Sequence, residues 1–145
     1  MQGMKQILVP VDGSKNSDKA VLQAAALAAV CGADLDLLYV AYFRQATDDA
    51  AGRISWLPDT VTGSIARTSQ AILQHAKTLV DPKITCRTHL ETGIPAKEIV
   101  AFAKKNDMDL IVVGGRGLGL VEGFLLGSIS REVLEQAHCP VLVVK

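Results

Sequence analysis

Five short aliphatic runs divide this chain, at 5–11 (KQILVPV), 34–42 (DLDLLYVAY), 84–90 (ITCRTHL), 109–113 (DLIVV) and 140–144 (PVLVV). Between them lie four stretches with helical spacing, at 16–31, 64–80, 95–106 and 128–137. The runs have strand length, and most are apolar without interruption. Strict alternation of strand and helix predicts a parallel sheet, because a strand reached through a helical crossover re-enters the sheet in the same direction. Strands that are apolar on both faces need helices on both sides to cover them. The expectation is a doubly wound α/β fold of five parallel strands, and 145 residues are the length of one domain, 1–145.

Local signals sharpen the boundaries. Ser14 or Asn16 can cap the first helix and Gly32 can end it. The alanines of that helix recur at three- and four-residue spacing, so it can lie close on the sheet. Asp81-Pro82 stops the second helix. Pro95 suits the first turn of the third, and Lys104-Lys105 suit its negative end. The run 84–90 alternates, with Arg87 and His89 opposite Cys86 and Thr88, as befits a half-exposed strand near an edge. The last run is apolar on both faces, yet as the final strand it falls on the opposite edge, where each uncovered side chain forgoes roughly 1.5–3 kcal/mol. A second copy of the chain pairing along Val141, Leu142, Val143 and Val144 would cover it, and a homodimer is the expectation, with cover from the chain itself as the alternative.

Lys and Arg number 15, as do Asp and Glu, so the balance argues against a nucleic-acid binder that works through a basic face, and it gives no obvious reason for an anionic ligand. Aromatic residues make up 4% of the chain, which argues against a base-stacking platform and leaves the core to aliphatic side chains and alanine. The longest uncharged stretch, 21–33, is too short to span a bilayer, so no membrane insertion is expected. The first residues lack the pattern of a secretory signal, and a cytoplasmic protein is expected. Cys31, Cys86 and Cys139 fit neither a disulfide framework nor a zinc site and read as buried thiols in a reducing compartment. His75, His89 and His138 stand on separate elements without metal-ligand spacing.

In a doubly wound fold, ligands bind beyond the carboxyl ends of the strands where the strand order reverses. The loop after the fourth strand holds six of the twelve glycines: Gly114, Gly115, Gly117, Gly119, Gly123 and Gly127. Glycine lets successive backbone N–H groups turn toward an anion, and a helix start beyond such a loop offers further free N–H groups. Ser128 stands where that helix begins and can cap it or meet a phosphate. The alternative is a flexible turn with a serine cap. Neither a Walker loop nor a dinucleotide fingerprint is present. Asp12, at the end of the first strand, either faces a ligand or bonds the backbone of its own turn. Residues 44–63 show no clear periodicity and contain Trp56, which suggests a lid, a partner-binding loop or a frayed helix start.

The glycine loop resembles that of the ATP-binding branch of the universal stress protein family, whose G-x2-G-x9-G-[ST] pattern is complete here as Gly114, Gly117, Gly127 and Ser128. ILVPVDGS near the start, SISREVLEQ and the terminal HCPVLVV are also similar to that family. The resemblance implies a Rossmann-like sheet in the order 3-2-1-4-5, a dimer through the fifth strands, and ATP held between the ends of the first and fourth strands. It places Pro10, Val11 and Asp12 beside the nucleotide, with Val11 and Val40 near adenine, and Asp12 toward the ribose or a phosphate-bound Mg2+ or Mn2+. Val113 and Gly114 would line the same pocket. Gly117, Gly127, Ser128, Ile129 and Ser130 would cradle the phosphates, and Arg116 would add a positive charge.

Three functions compete at this point. The chain is a stress-response regulator that binds ATP and presents a surface to an unidentified protein partner, a slow ATP hydrolase or phosphoryl-transfer enzyme, or an interaction module without nucleotide. The complete glycine pattern disfavours the third. Phosphoryl transfer needs an oriented nucleophile and charge stabilisation, for which Asp12 alone is a poor set, so binding is favoured.

Overall fold

The computed structural model describes residues 3–42, 59–115 and 126–145, with only the backbone described at 59–62. The chain runs β1 (Gln6–Pro10), α1 (Lys15–Cys31), β2 (Asp34–Ala41), α2 (Asp59–Thr78), β3 (Cys86–Thr92), α3 (Pro95–Lys105), β4 (Leu110–Gly114), α4 (Ser128–Gln136) and β5 (Val141–Val144). Every strand pair is parallel and the order is β3-β2-β1-β4-β5. Ile7 stands opposite both Leu35 and Leu110, so β1 is the central strand, and Ile111 stands opposite Val141. Winding proceeds from β1 toward β3 and then crosses back to β4 and β5. The carboxyl ends of β1 and β4 therefore flank the point where the order reverses.

Two cores sandwich the sheet. On one face Ala20, Val21, Ala24 and Ala28 of α1 and Leu73 and Ala76 of α2 cover Ile7, Val9, Leu35, Leu37 and Val112. On the other, Ala96, Ile99 and Ala103 of α3 and Val133 of α4 cover Leu8, Leu38, Ile111 and Val113. The alanine ladder does what its spacing predicts: without bulk beyond Cβ, α1 seats directly on the central strands. Ser14 is its cap, accepting from the Ser17 N–H at 3.1 Å, and Gly32 ends it in the left-handed region at φ 69. Only glycine adopts that conformation without strain.

Some boundaries differ from expectation. Helix α2 begins at Asp59, so residues 59–63 of the stretch 44–63 are helical, whereas Trp56 lies outside the described residues. The helix gives way after Thr78 to i→i+3 bonds from Leu79 and Val80 to Ala76 and Lys77. Strand β3 starts two residues late because Ile84 closes a turn onto the Asp81 carbonyl. The thiols also divide: Cys31, at the outer end of α1, is exposed rather than buried, while Cys86 and Cys139 are half-buried. Burial pushes the latter two thiols above their ordinary value. Among the described residues no helix is long and apolar enough to cross a membrane.

Candidate functional site

Three segments meet at the reversal point. The first leaves β1. Pro10 is half-buried, and Val11 donates its N–H to the Leu38 carbonyl at 2.8 Å while its side chain, 5% exposed, joins the core beneath α1 and α2. Asp12 then opens a tight turn. Its Oδ1 accepts from the Ser14 N–H at 2.9 Å, its own N–H donates to Ser17 Oγ at 3.2 Å, and Gly13 takes φ 84 between them. The local role anticipated for Asp12 is thus real. The carboxylate is half-exposed and is held by the turn at the end of the strand.

The second segment is the end of β4. Val113 is buried in the core beneath α3 and α4, toward which Val40 also packs. Gly114 follows, and a Cβ there would lie 2.8 Å from the Asn16 carbonyl oxygen. This glycine lets the start of α1 press on the end of β4. Gly115 is buried and bonds the Val144 carbonyl through its N–H at 2.8 Å. Arg116 and Gly117 lie outside the described residues.

The third segment is the start of α4. Gly127, at φ −68 and ψ 162, is the cap residue and, being glycine, offers the first turn no side-chain acceptor. Ser128 is therefore the first helical residue rather than the cap. The first helical N–H to find an acceptor one turn back is that of Arg131, on the Gly127 carbonyl at 3.1 Å. The N–H groups of Ser128, Ile129 and Ser130 precede it and have no acceptor inside the helix. The Gly127 N–H donates to the Gly115 carbonyl at 2.7 Å, and Ser130 Oγ donates to the Gly114 carbonyl at 2.6 Å. The chain thus returns to within one hydrogen bond of the point where it left β4. Ile129 is 44% exposed, whereas Ser130 is buried.

Sequence reasoning missed a second polar group, on β2 and β3. Asp36 is 2% exposed. Its carboxylate accepts from Arg87 Nε at 2.9 Å and Nη2 at 3.0 Å, and from His89 Nε2 at 2.7 Å. The His89 ring also packs at 4.8 Å from that of Phe102 on α3. A carboxylate in the middle of an apolar strand is the signal that could have found it, since such a charge needs cationic partners on the neighbouring strand. Burial raises the Asp36 carboxyl, but hydrogen bonds and charge from Arg87 and His89 outweigh burial and hold it below its ordinary value of 3.8. This stabilisation is complete above the ordinary carboxylate range and is lost as pH falls through the depressed value. Asp36→Asn is expected to cost about 1–2 kcal/mol at pH 7, less than a fully buried pair would, because Arg87 is half in solvent. The gap to the native protein should close in acid below about pH 4. Chemical denaturation at pH 7 and pH 3 checks this, and an equal gap at both would show that the charge is unimportant.

The profile of the universal stress protein family matches residues 3–145. A universal stress protein of Methanocaldococcus jannaschii, MJ0531, is 35% identical over 97% of this chain and 82% of its own. Universal stress protein YxiE of Bacillus subtilis is 34% identical over 97% of this chain and 98% of its own. Among solved structures, a universal stress protein in complex with cAMP superposes with a TM-score of 0.72 at 28% identity, covering 99% of this chain and 98% of that one.

Proposed function

This chain belongs to the universal stress protein family, and from that premise we propose that it is a regulatory protein that binds ATP between the carboxyl ends of β1 and β4 and works as a homodimer. One observation carries the reading: α4 begins at the sheet's reversal point with a glycine cap, which has no side chain to satisfy the first-turn N–H groups. A phosphate supplies that missing acceptor, and the helix dipole favours its charge. The N–H groups of Ser128, Ile129 and Ser130 hold the phosphates behind Gly127, and Gly117 and Arg116 complete the cradle from the preceding loop. Val40, which is half-buried, offers apolar surface to adenine, with Pro10 and the backbones of Val11, Val113 and Gly114 beside it. Asp12 fits a hard cation or a ribose hydroxyl, since it is a half-exposed carboxylate fixed by its own turn. Mg2+ or Mn2+ bound there would neutralise phosphate charge. A relative that binds cAMP supports an adenine nucleotide, and the glycine pattern of the longer loop favours the triphosphate. Free thiols at three positions suit the cytoplasm.

Calorimetric titration with ATP, with and without Mg2+, tests the reading, and absence of saturable binding would overturn it. The protein partner is the one that such a nucleotide-dependent surface engages.

Dimerisation follows from the position of β5, which among the described residues has a strand on one side only. Leu142 is 36% exposed, and Lys19, Leu22, Gln23, Ala26 and Val144 line a groove that borders it. Antiparallel pairing of β5 with its copy would satisfy the open ladder and cover these side chains. Leu142→Glu should convert the dimer to a monomer in sedimentation experiments at micromolar concentration, by placing like charges beside the axis. A variant that sediments as the native protein does would rule this edge out.

A further inference from the structure

We propose that Ser130 is a positioning residue of the nucleotide site, its hydroxyl bound to the main chain of β4 and not to phosphate; the role rests on the ATP-binding reading above. The side chain is 6% exposed, and its Oγ donates to the Gly114 carbonyl at 2.6 Å across sixteen residues of chain. A serine hydroxyl has one proton. While that proton lies on Gly114, Oγ offers a phosphate oxygen only lone pairs, which repel it. What Ser130 gives the ligand is its backbone N–H and a fixed helix start.

The fixing works through two bonds that lie side by side. Gly127 is tied to Gly115 through its N–H, and Ser130 is tied to Gly114 through its hydroxyl. With the body of α4 seated on the sheet through Val133, the two bonds together hold its first turn against the end of β4. Gly114 is in turn pressed against the Asn16 carbonyl at the start of α1, the helix that Ser14 caps beside Asp12. A single residue at the end of β4 thereby sets the relative placement of the Asp12 turn and of the first-turn N–H groups of α4. Binding to groups already in place avoids the ordering cost that loose groups exact.

Ser130→Ala and Ser130→Thr distinguish this from a direct phosphate contact. Without nucleotide, Ser130→Ala is expected to speed hydrogen exchange of the Gly127 amide, because the neighbouring tie is gone, and to weaken ATP binding about five- to tenfold, the span expected for one hydrogen bond. Ser130→Thr keeps the hydroxyl and should restore both to within about twofold. Weaker ATP binding with unchanged exchange in the free protein would overturn the proposal in favour of a phosphate contact. Faster exchange with unchanged affinity would show that the tie does not position the site. If the native protein binds no adenine nucleotide, the positioning role falls together with the proposed function, and the exchange measurement, made without ligand, still shows whether the tie exists.

Discussion

Gly127→Asp is expected to lower ATP affinity at least a hundredfold while the protein stays folded. The backbone at 127 has φ −68 and ψ 162, open to any residue, so the substitution brings no backbone strain. Aspartate is also a better cap than glycine by a few tenths of a kcal/mol, and the variant should melt at or slightly above the native temperature. Its carboxylate, however, takes the first-turn N–H groups for itself and places a negative charge where the phosphates are to bind. Two unit charges about 4 Å apart near a protein surface repel by roughly 4 kcal/mol. Even half of that from each of two phosphate charges exceeds the roughly 2.7 kcal/mol that corresponds to a hundredfold change. Gly127→Ala adds a similar bulk near the backbone without charge and should bind within a few-fold of native. Native affinity in the aspartate variant would mean that the nucleotide does not use the start of α4.

Gly114→Ala is expected to destabilise the fold by about 2–3 kcal/mol, a cost typical of an overpacked site. The new methyl would lie 2.8 Å from the oxygen and 2.9 Å from the carbon of the Asn16 carbonyl. Both belong to the backbone of α1 near its cap, so no side chain can rotate away, and α1 or β4 must shift. For a chain of this size the melting temperature should fall by about 5–10 °C. Thermal denaturation of the nucleotide-free protein measures this without reference to any ligand. An unchanged melting temperature would show that α1 has room to move outward at no cost.

These two glycines belong to one sequence pattern but answer to different forces. Gly114 is required by packing, whereas Gly127 is the cap of α4, where the proposed function places a phosphate. Spacing alone could not separate them, because a short motif records where glycine occurs and not what a side chain there would strike. The strands and helices were far more legible. Alternating runs, Ser14, Gly32 and Pro95 each act through neighbours a few residues away, and the structure uses each as expected. The beginning of α2 at Asp59 was not legible, since no periodic apolar pattern marks residues 59–63. Serine is a common cap, which makes Ser128 a candidate from sequence, but the chain enters α4 one residue earlier, at Gly127.

A net charge of zero does not weigh against the proposed anionic ligand. Backbone N–H groups at a helix start carry partial positive charge that no count of Lys and Arg includes. The sequence by itself determined the fold class, the sheet's two-sided cover and the loop at which to look, because periodicity, capping and glycine spacing are local properties of the chain. Tertiary structure alone decided which polar groups remain available there. Ser130 Oγ is bound to Gly114, and on the neighbouring strands Asp36 is neutralised by Arg87 from 51 residues away. The two long-range bonds depend on strand order and register, through which groups distant along the chain come within 3 Å of one another.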